Sequence, residues 1–238
     1  QGNQVSALMQ ELSSYIAGAL KRKLPAEVSE RAKIHLVDSL AALVSGSRLL
    51  PGKRAINYVQ SLTASREAGV VGTRIVTSAL NAALANGIFG HADETDDVHP
   101  PSHSHPGNSI VPATLAMAER QQQPGMALLR AMVLGYDINA RVLLAVKYQQ
   151  LTKTGFHCGS KGGVFGAGAA CGALLKLDAR RIRYLLSYCA QQAAGLRTNL
   201  RAAEHLEKAY VCGGMTAQNG VAAAQMTASG FTAVDDVF

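Results

Sequence analysis

Residues Thr77–Arg120 read TSALNAALANGIFGHADETDDVHPPSHSHPGNSIVPATLAMAER. From Thr77 to Phe89 the segment is apolar on nearly every side (Ala79, Leu80, Ala82, Ala83, Leu84, Ala85, Ile88, Phe89), the pattern of a helix covered all round by neighbours. Ile110 to Arg120 reads as a second buried helix, with Asn108 or Ser109 as its N-cap. Between them Gly90 to Gly107 is polar and proline-punctuated. A polar loop slung between two buried helices implies a core made of helices, with this loop as its working edge.

Working outward, the same helical periodicity recurs. Val5 to Leu20 repeats Val5, Leu8, Met9, Leu12, Ile16 and Leu20 at helical spacing. Pro25 precedes a helix over Glu27 to Val44, with Ile34, Val37, Leu40, Ala41 and Val44 as its expected packing side, and Pro51 to Leu62 reads as a short third helix. Gly69, Gly72 and the β-branched pair Val70-Val71 suggest a brief extended connector. The run QQQPG turns the chain into a long helix from Met126 to Tyr148. Gly162 to Lys176 carries five glycines among Ala and Val, a small-residue face that lets helices approach closely. Asp178 to Gln192 and Thr216 to Gly230 complete the set, separated by the polar passage Arg197 to Gly214. The expectation is an all-α, multi-helix bundle-like domain over residues 1–238, with about nine helices and no internal repeat.

Composition agrees. Hydrophobic residues make up 48%, aromatics only 5% with no Trp, and there are 23 Gly, which favours close-packed helices over a sheet sandwich. No run of roughly 18 apolar residues occurs, and the first twenty lack the basic-then-apolar order of a secretory signal. No membrane partner and a cytoplasmic location are therefore expected. Cys158, Cys171, Cys189 and Cys212 form no C-x-x-C pair, which argues for buried thiols rather than a zinc ribbon or disulfide framework. The net charge of +7 suits an acidic ligand, but the basic residues are dispersed rather than interleaved with aromatics, so no nucleic-acid partner is expected.

Four of the seven histidines (His91, His99, His103, His105) and four of the sixteen acids (Asp93, Glu94, Asp96, Asp97) fall inside the loop, among Pro100, Pro101 and Pro106. Imidazoles exchange protons near neutrality and carboxylates fix their tautomers, so the cluster points to proton transfer. An exposed polar loop is the plain alternative. A zinc, manganese or iron site is another, although no H-E-x-x-H-type ligand pair is present. His157 lies just before the glycine-rich helix, where small neighbours leave room for an anion, and Lys208 precedes Gly213-Gly214. The G-x-x-G-x-G of Gly163 to Gly168 follows no strand and is not a dinucleotide fingerprint.

Together GHADETDDVHPPSHSHPGNSIVPATLAMAE, GYDINARV, GFHCGSKGGVFGAGAA and EHLEKAYVCGGMTAQNGVAAAQMTASGFTAVDDVF resemble the MmgE/PrpD family, a group of dehydratases, decarboxylases and epimerases that includes 2-methylcitrate dehydratase. The resemblance runs the length of the chain. It implies a helical domain that homodimerises, with a site free of metal and organic cofactors between this domain and an α+β lid that follows in the family and is expected to be lacking here after Phe238. It implies a lyase, in first place a hydro-lyase acting on a small di- or tricarboxylate, with epimerase, decarboxylase or a weakly active dimerising module as alternatives. By the family's G-H-A-x-D-x-D-D-T pattern, Glu94 is the acid two residues before the Asp-Asp pair, Asp93 stands beside it, and Val98 replaces the threonine. The same resemblance gives His105, His157, Lys208, Glu94 and Asp97 as expected catalytic residues, with Glu94 or Asp97 orienting a histidine. Asp93, His103, Ser160 and Lys161 are the expected substrate-binding residues, and no metal ligand is expected.

Overall fold

A computed structural model describes residues 5–238 of the chain. Among the described residues there are eleven α-helices: α1 (Ala7–Gly18), α2 (Ala26–Gly46), α3 (Leu50–Gln60), α4 (Ala79–Gly90), α5 (Gly107–Arg120), α6 (Gly125–Ala145), α7 (Tyr148–Lys153), α8 (Cys158–Leu174), α9 (Ala179–Gln191), α10 (Leu206–Ala209) and α11 (Met215–Ala228). The expected connector is a pair of two-residue strands, β1 (Ala68–Gly69) and β2 (Val76–Thr77), joined antiparallel. The fold is all-α.

Local chemistry sets several helix starts. Ser6 accepts a bond from the Met9 amide, Ser78 from Asn81 and Asp178 from Arg181, each satisfying a first-turn N–H that the helix leaves unbonded. The glycine-rich α8 is the axle of the molecule, buried from Gly162 to Leu174 and packed on α6, α11, α5 and α9. A Cβ on Gly135 of α6 would lie 2.5 Å from Ile110 and one on Gly168 would lie 2.5 Å from the Cys189 sulfur. Small residues at these crossings therefore let helix axes approach more closely than large side chains permit. No described helix is long and apolar enough to cross a membrane.

Several boundaries differ from the sequence expectation. The helix after the loop starts at Gly107 with Pro106 as N-cap, so Asn108 and Ser109 are buried inside α5 rather than capping it; the Asp97 carboxylate takes over the cap by accepting the Gly107 N–H at 2.8 Å. The long helix stops at Ala145, where Lys147 adopts a left-handed backbone, and α7 follows as a separate turn. The polar passage is itself structured, with 3-10 turns at Arg197–Arg201, helix α10, and a π-helical turn at Tyr210–Gly214. These short elements make up the excess over nine helices. The largest difference concerns α2: Ile34, Val37 and Val44 are 59%, 67% and 40% exposed, and the helix packs inward through Ala32, Ser39, Ala42, Leu43 and Gly46 instead. Amphipathic spacing marks an apolar face but not what covers it.

One crossing positions the functional end. Gly87 of α4 meets Gly213 of the π-turn, and a Cβ on Gly87 would sit 2.6 Å from the Gly213 carbonyl oxygen, inside van der Waals contact with backbone that cannot swing aside. Gly87→Ala is expected to destabilise the chain by roughly 1–3 kcal/mol or more through overpacking. Gly18→Ala, which meets nothing within 4 Å, is the control. Urea unfolding of both variants checks this; equal midpoints would show that α4 and the π-turn can move apart freely.

Candidate active site

Four helix ends converge at one end of the molecule: the C-terminus of α4, the N-termini of α5 and α8, and the short α10 with its π-turn. Between them and α7 lies a cleft of about 470 Å³. Its wall includes His91, His103, His105 and His157, the cations Lys153, Arg197 and Lys208, and the thiols of Cys158 and Cys212.

The loop folds as a compact turn rather than an extended strap. Pro100–Ser102 form a 3-10 turn closed by the bridge between His99 and Ser104, which carries His103 and His105 to the cleft. Beneath it is a buried cluster. Asp96, with 2% of its side chain exposed, lies 2.9 Å from His91 Nδ1, accepts the Asn108 amide N–H at 2.8 Å, and lies 3.5 Å from His105 Nδ1. Burial pushes the Asp96 carboxyl up, but the facing His105 and His91 imidazoles outweigh it and hold the group well below the usual carboxylate range. The Asp96 carboxylate 3.5 Å away conversely raises His105 above the ordinary histidine value, against burial.

At the rim, Lys208 donates to Glu94, and this bond is the main reason Glu94 is held low. His205 donates from Nε2 to the His91 carbonyl at 2.9 Å and turns its Nδ1 toward Glu94 at 3.6 Å. Glu94, His103 and His205 all adopt left-handed backbone (φ 57°, 52° and 57°). Non-glycine residues enter that region at a cost of about 1–3 kcal/mol each, and such residues collect where surrounding structure holds a site in place.

His157 is the N-cap of α8. Its Nδ1 accepts the Ser160 N–H at 3.3 Å, and its Nε2 lies 3.4 Å from Cys212 Sγ. Burial lowers its pKa to about 4, helped by the nearby His91 and Lys208. Cys171, Cys189 and Cys212 are buried thiols as expected, whereas Cys158 is half-buried at the cleft.

The structure thus brings His105, His157, Lys208 and His103 onto one cleft, with Glu94 at its edge, and separates the other expected residues from it. Asp97 faces the opposite way: besides capping α5 it accepts Tyr136 Oη at 2.8 Å and meets His35 Nδ1 at 3.1 Å. It orients His35, not a cleft histidine. Of the two acids expected to orient a histidine, Asp97 meets His35 and Glu94 lies near His205, while the carboxylate beside the cleft histidines His91 and His105 is Asp96. Asp93 accepts from Ser45 of α2 at 2.9 Å. The Ser160 hydroxyl donates to the His157 and Ala194 carbonyls, and Lys161 donates to the Ala193 carbonyl at 2.7 Å, so neither lines the cleft. His91, Asp96, His205 and Cys212 escaped the sequence reading. His91 and Asp96 lay within the recognised cluster, but nothing in the loop's order told which acid turns inward. His205 carries only its position three residues before Lys208.

Among the described residues two groups have donor atoms within 4.8 Å of one another, His91–Asp96–His105 and His91–Glu94–His205. The first has the Asn108 amide N–H aimed at Asp96, and the second has the Lys208 ammonium on Glu94. In each group the carboxylate already accepts from an N–H donor.

A family model described as the MmgE/PrpD N-terminal domain matches residues 10–238. Among curated proteins, cis-aconitate decarboxylase of Aspergillus terreus is 24% identical over 99% of this chain and 48% of its own length. A cis-aconitate decarboxylase-like protein, oryM, of Aspergillus oryzae is 28% identical over 96% and 48%, and cis-aconitate decarboxylase of Homo sapiens is 25% identical over 92% and 46%. The chain spans about half the length of the curated relatives it matches.

The buried His157 gives a pH signature. Its folded-state pKa of about 4 lies below the ordinary value, so the unfolded chain binds the proton more readily. Its contribution is complete above pH ~6.5 and is lost as pH falls toward about 4. In His157→Gln, the fall in urea midpoint across that window should flatten relative to the parent; an unchanged slope would show that His157 titrates normally.

Proposed function

This chain belongs to the MmgE/PrpD family, and we propose that it forms the helical part of a lyase acting on a small di- or tricarboxylate without metal or organic cofactor. The observation that carries the proposal is the sign of the cleft wall. Among the described residues three cations and four imidazoles line it and no carboxylate does, although four acids stand in the loop. The loop's carboxylates are withdrawn: Asp96 beneath the floor, Asp97 behind α5, Asp93 onto α2, and Glu94 onto Lys208 at the rim.

In this reading Lys208 and Arg197 hold substrate carboxylates, and the N-terminal turn of α8, with Cys158 and Gly159 on the wall, adds a partial positive charge. Breaking a bond beside a carboxylate leaves charge on the adjacent carbon, which the carboxylate delocalises and the cations stabilise. His105 and His157 face the same space and handle the proton. Loss of water and loss of carbon dioxide both fit this scheme. The first is the expectation from the family pattern, and the second is supported by the decarboxylase relatives. The α+β lid of the family would cover the open side of the cleft.

Binding tests the reading. Tricarballylate, a saturated tricarboxylate, should shift the NMR signals of Lys208, Arg197 and His157, and propionate should bind at least tenfold more weakly. Lys208→Ala should weaken tricarballylate binding by about 10–100-fold, the equivalent of one charge-assisted hydrogen bond. Shifts confined to other surfaces would reject the assignment.

The same reading includes a homodimer. The exposed Ile34, Val37 and Val44 line up along α2, beside Leu40 and the exposed Leu49, as an apolar stripe of the kind soluble monomers seldom leave open. A second copy of this chain is the proposed cover. Sedimentation should give a dimer for the parent and a monomer for Val37→Glu; a monomeric parent would remove the homodimer.

A further inference from the structure

We infer that the two imidazoles at the centre of the cleft have separate fixed roles: Asp96 is the positioning residue that keeps His105 a proton donor, and the first turn of α8 fixes His157 as a neutral hydrogen-bond donor. The inference rests on the polycarboxylate reading above and assigns the roles within it.

The argument for His157 is one of lone pairs. A backbone amide can only donate, so the Nδ1 atom 3.3 Å from the Ser160 N–H must hold its lone pair there. A neutral ring then carries its single proton on Nε2, the nitrogen beside Cys212 on the cleft wall. Burial, the positive end of α8 and the facing Lys208, Arg197 and His105 all keep the ring from taking a second proton. His157 therefore presents an N–H to a ligand and no basic lone pair.

For His105 the argument runs through Asp96. His91 Nδ1 lies within 3.0 Å of both Asp96 oxygens, where a lone pair would be repelled, so that nitrogen is protonated. Its Nε2 is buried without a partner, which disfavours a second proton on His91. The negative charge of Asp96 is thus left for His105, whose Nδ1 is buried and faces Asp96 while the ring's remainder reaches the cleft. The groups around His105 are Asp96, Asp97 and Glu94 of the loop, His91 of α4, His157 of α8, Arg197, and Lys208 and His205 near α10. The three acids dominate and favour the imidazolium.

A charged His105 beside a neutral N–H donor suits one chemical step. The bond to a substrate carboxylate breaks, carbon dioxide leaves, and the electron pair stays on carbon, delocalised toward the remaining carboxylates on the cations. The Nε2 proton of His105 passes to that carbon, and solvent returns a proton to the neutral ring. Dehydration needs in addition a group to remove the proton next to carbon, and neither His105 nor His157 offers the cleft a lone pair; the roles assigned to these two imidazoles are those of decarboxylation.

Long-range ¹H–¹⁵N spectra of the histidine rings in the 238-residue chain, recorded against pH, test the assignment without needing turnover. His157 should show the Nε2–H tautomer throughout the neutral range, and His105 should titrate above the ordinary value of about 6.5. In Asp96→Asn, with folding checked by circular dichroism, the His105 midpoint should fall by about one unit or more, a tenfold change in proton affinity. An Nδ1–H tautomer at His157, a His105 midpoint at or below the ordinary value, or a midpoint unmoved in the folded variant would each overturn the inference. Should Asp96→Asn fail to fold, the parent spectra decide alone. Adding tricarballylate to the same sample separates the two readings: absent binding with the expected histidine states rejects the polycarboxylate ligand, and binding with the wrong states rejects only the donor roles.

Discussion

A carboxylate as deeply buried as Asp96 has to be met by hydrogen-bond donors, because an unpaired charge removed from water carries a penalty of several kcal/mol. Much of the site's geometry follows from satisfying it. His91 arrives from the end of α4, Asn108 from the first turn of α5, and His105 from the loop between them. The three are brought together by one acceptor, so the two buried helices and the loop that joins them form a single rigid corner. Asp97, the next residue, points the other way and ties the same loop to α2 and α6 through His35 and Tyr136 while capping α5. Neighbouring acids thus anchor opposite sides of one turn.

The same corner sets the electrostatics of the cleft. With the acids drawn beneath or behind the wall, what faces the ligand is a positive surface on a chain that already carries +7. Glu94 is the exception at the rim, paired with Lys208 and close to His205. A ligand carboxylate would replace Glu94 as the partner of Lys208 with little change in local charge. The left-handed backbone at Glu94, His103 and His205 shows that the surrounding packing, including the glycine crossing of α4 with the π-turn, holds these residues in place against their local preference.

Most of the architecture was legible because helical periodicity and glycine placement act over a few residues. α4 and α9 fall where their patterns place them, whereas α8 starts at Cys158, ahead of the glycine-rich stretch, with Gly163–Gly168 buried in its middle. The apolar stripe of α2 was legible as a stripe and misread as core, since spacing is identical whether a face meets its own domain or another surface. Ser160 and Lys161 were legible as neighbours of His157, but a helix turn rotates successive side chains by roughly 100°, and both point to backbone carbonyls away from the cleft.

By itself the sequence determined the all-α class, the position of the polar loop between two buried helices, and His105 within it and His157 and Lys208 beyond it as candidates, because those signals are local patterns or family motifs. Only the tertiary structure brings Asp96 beside His105, sets the Ser160 N–H against His157 Nδ1, and ties the loop to α10 through His205. The site depends on contacts between residues far apart in the chain, such as His205 with His91 and Cys212 with His157. Proton placement in a buried cluster is fixed by which donors and acceptors end up facing one another, and no spacing along the chain encodes that.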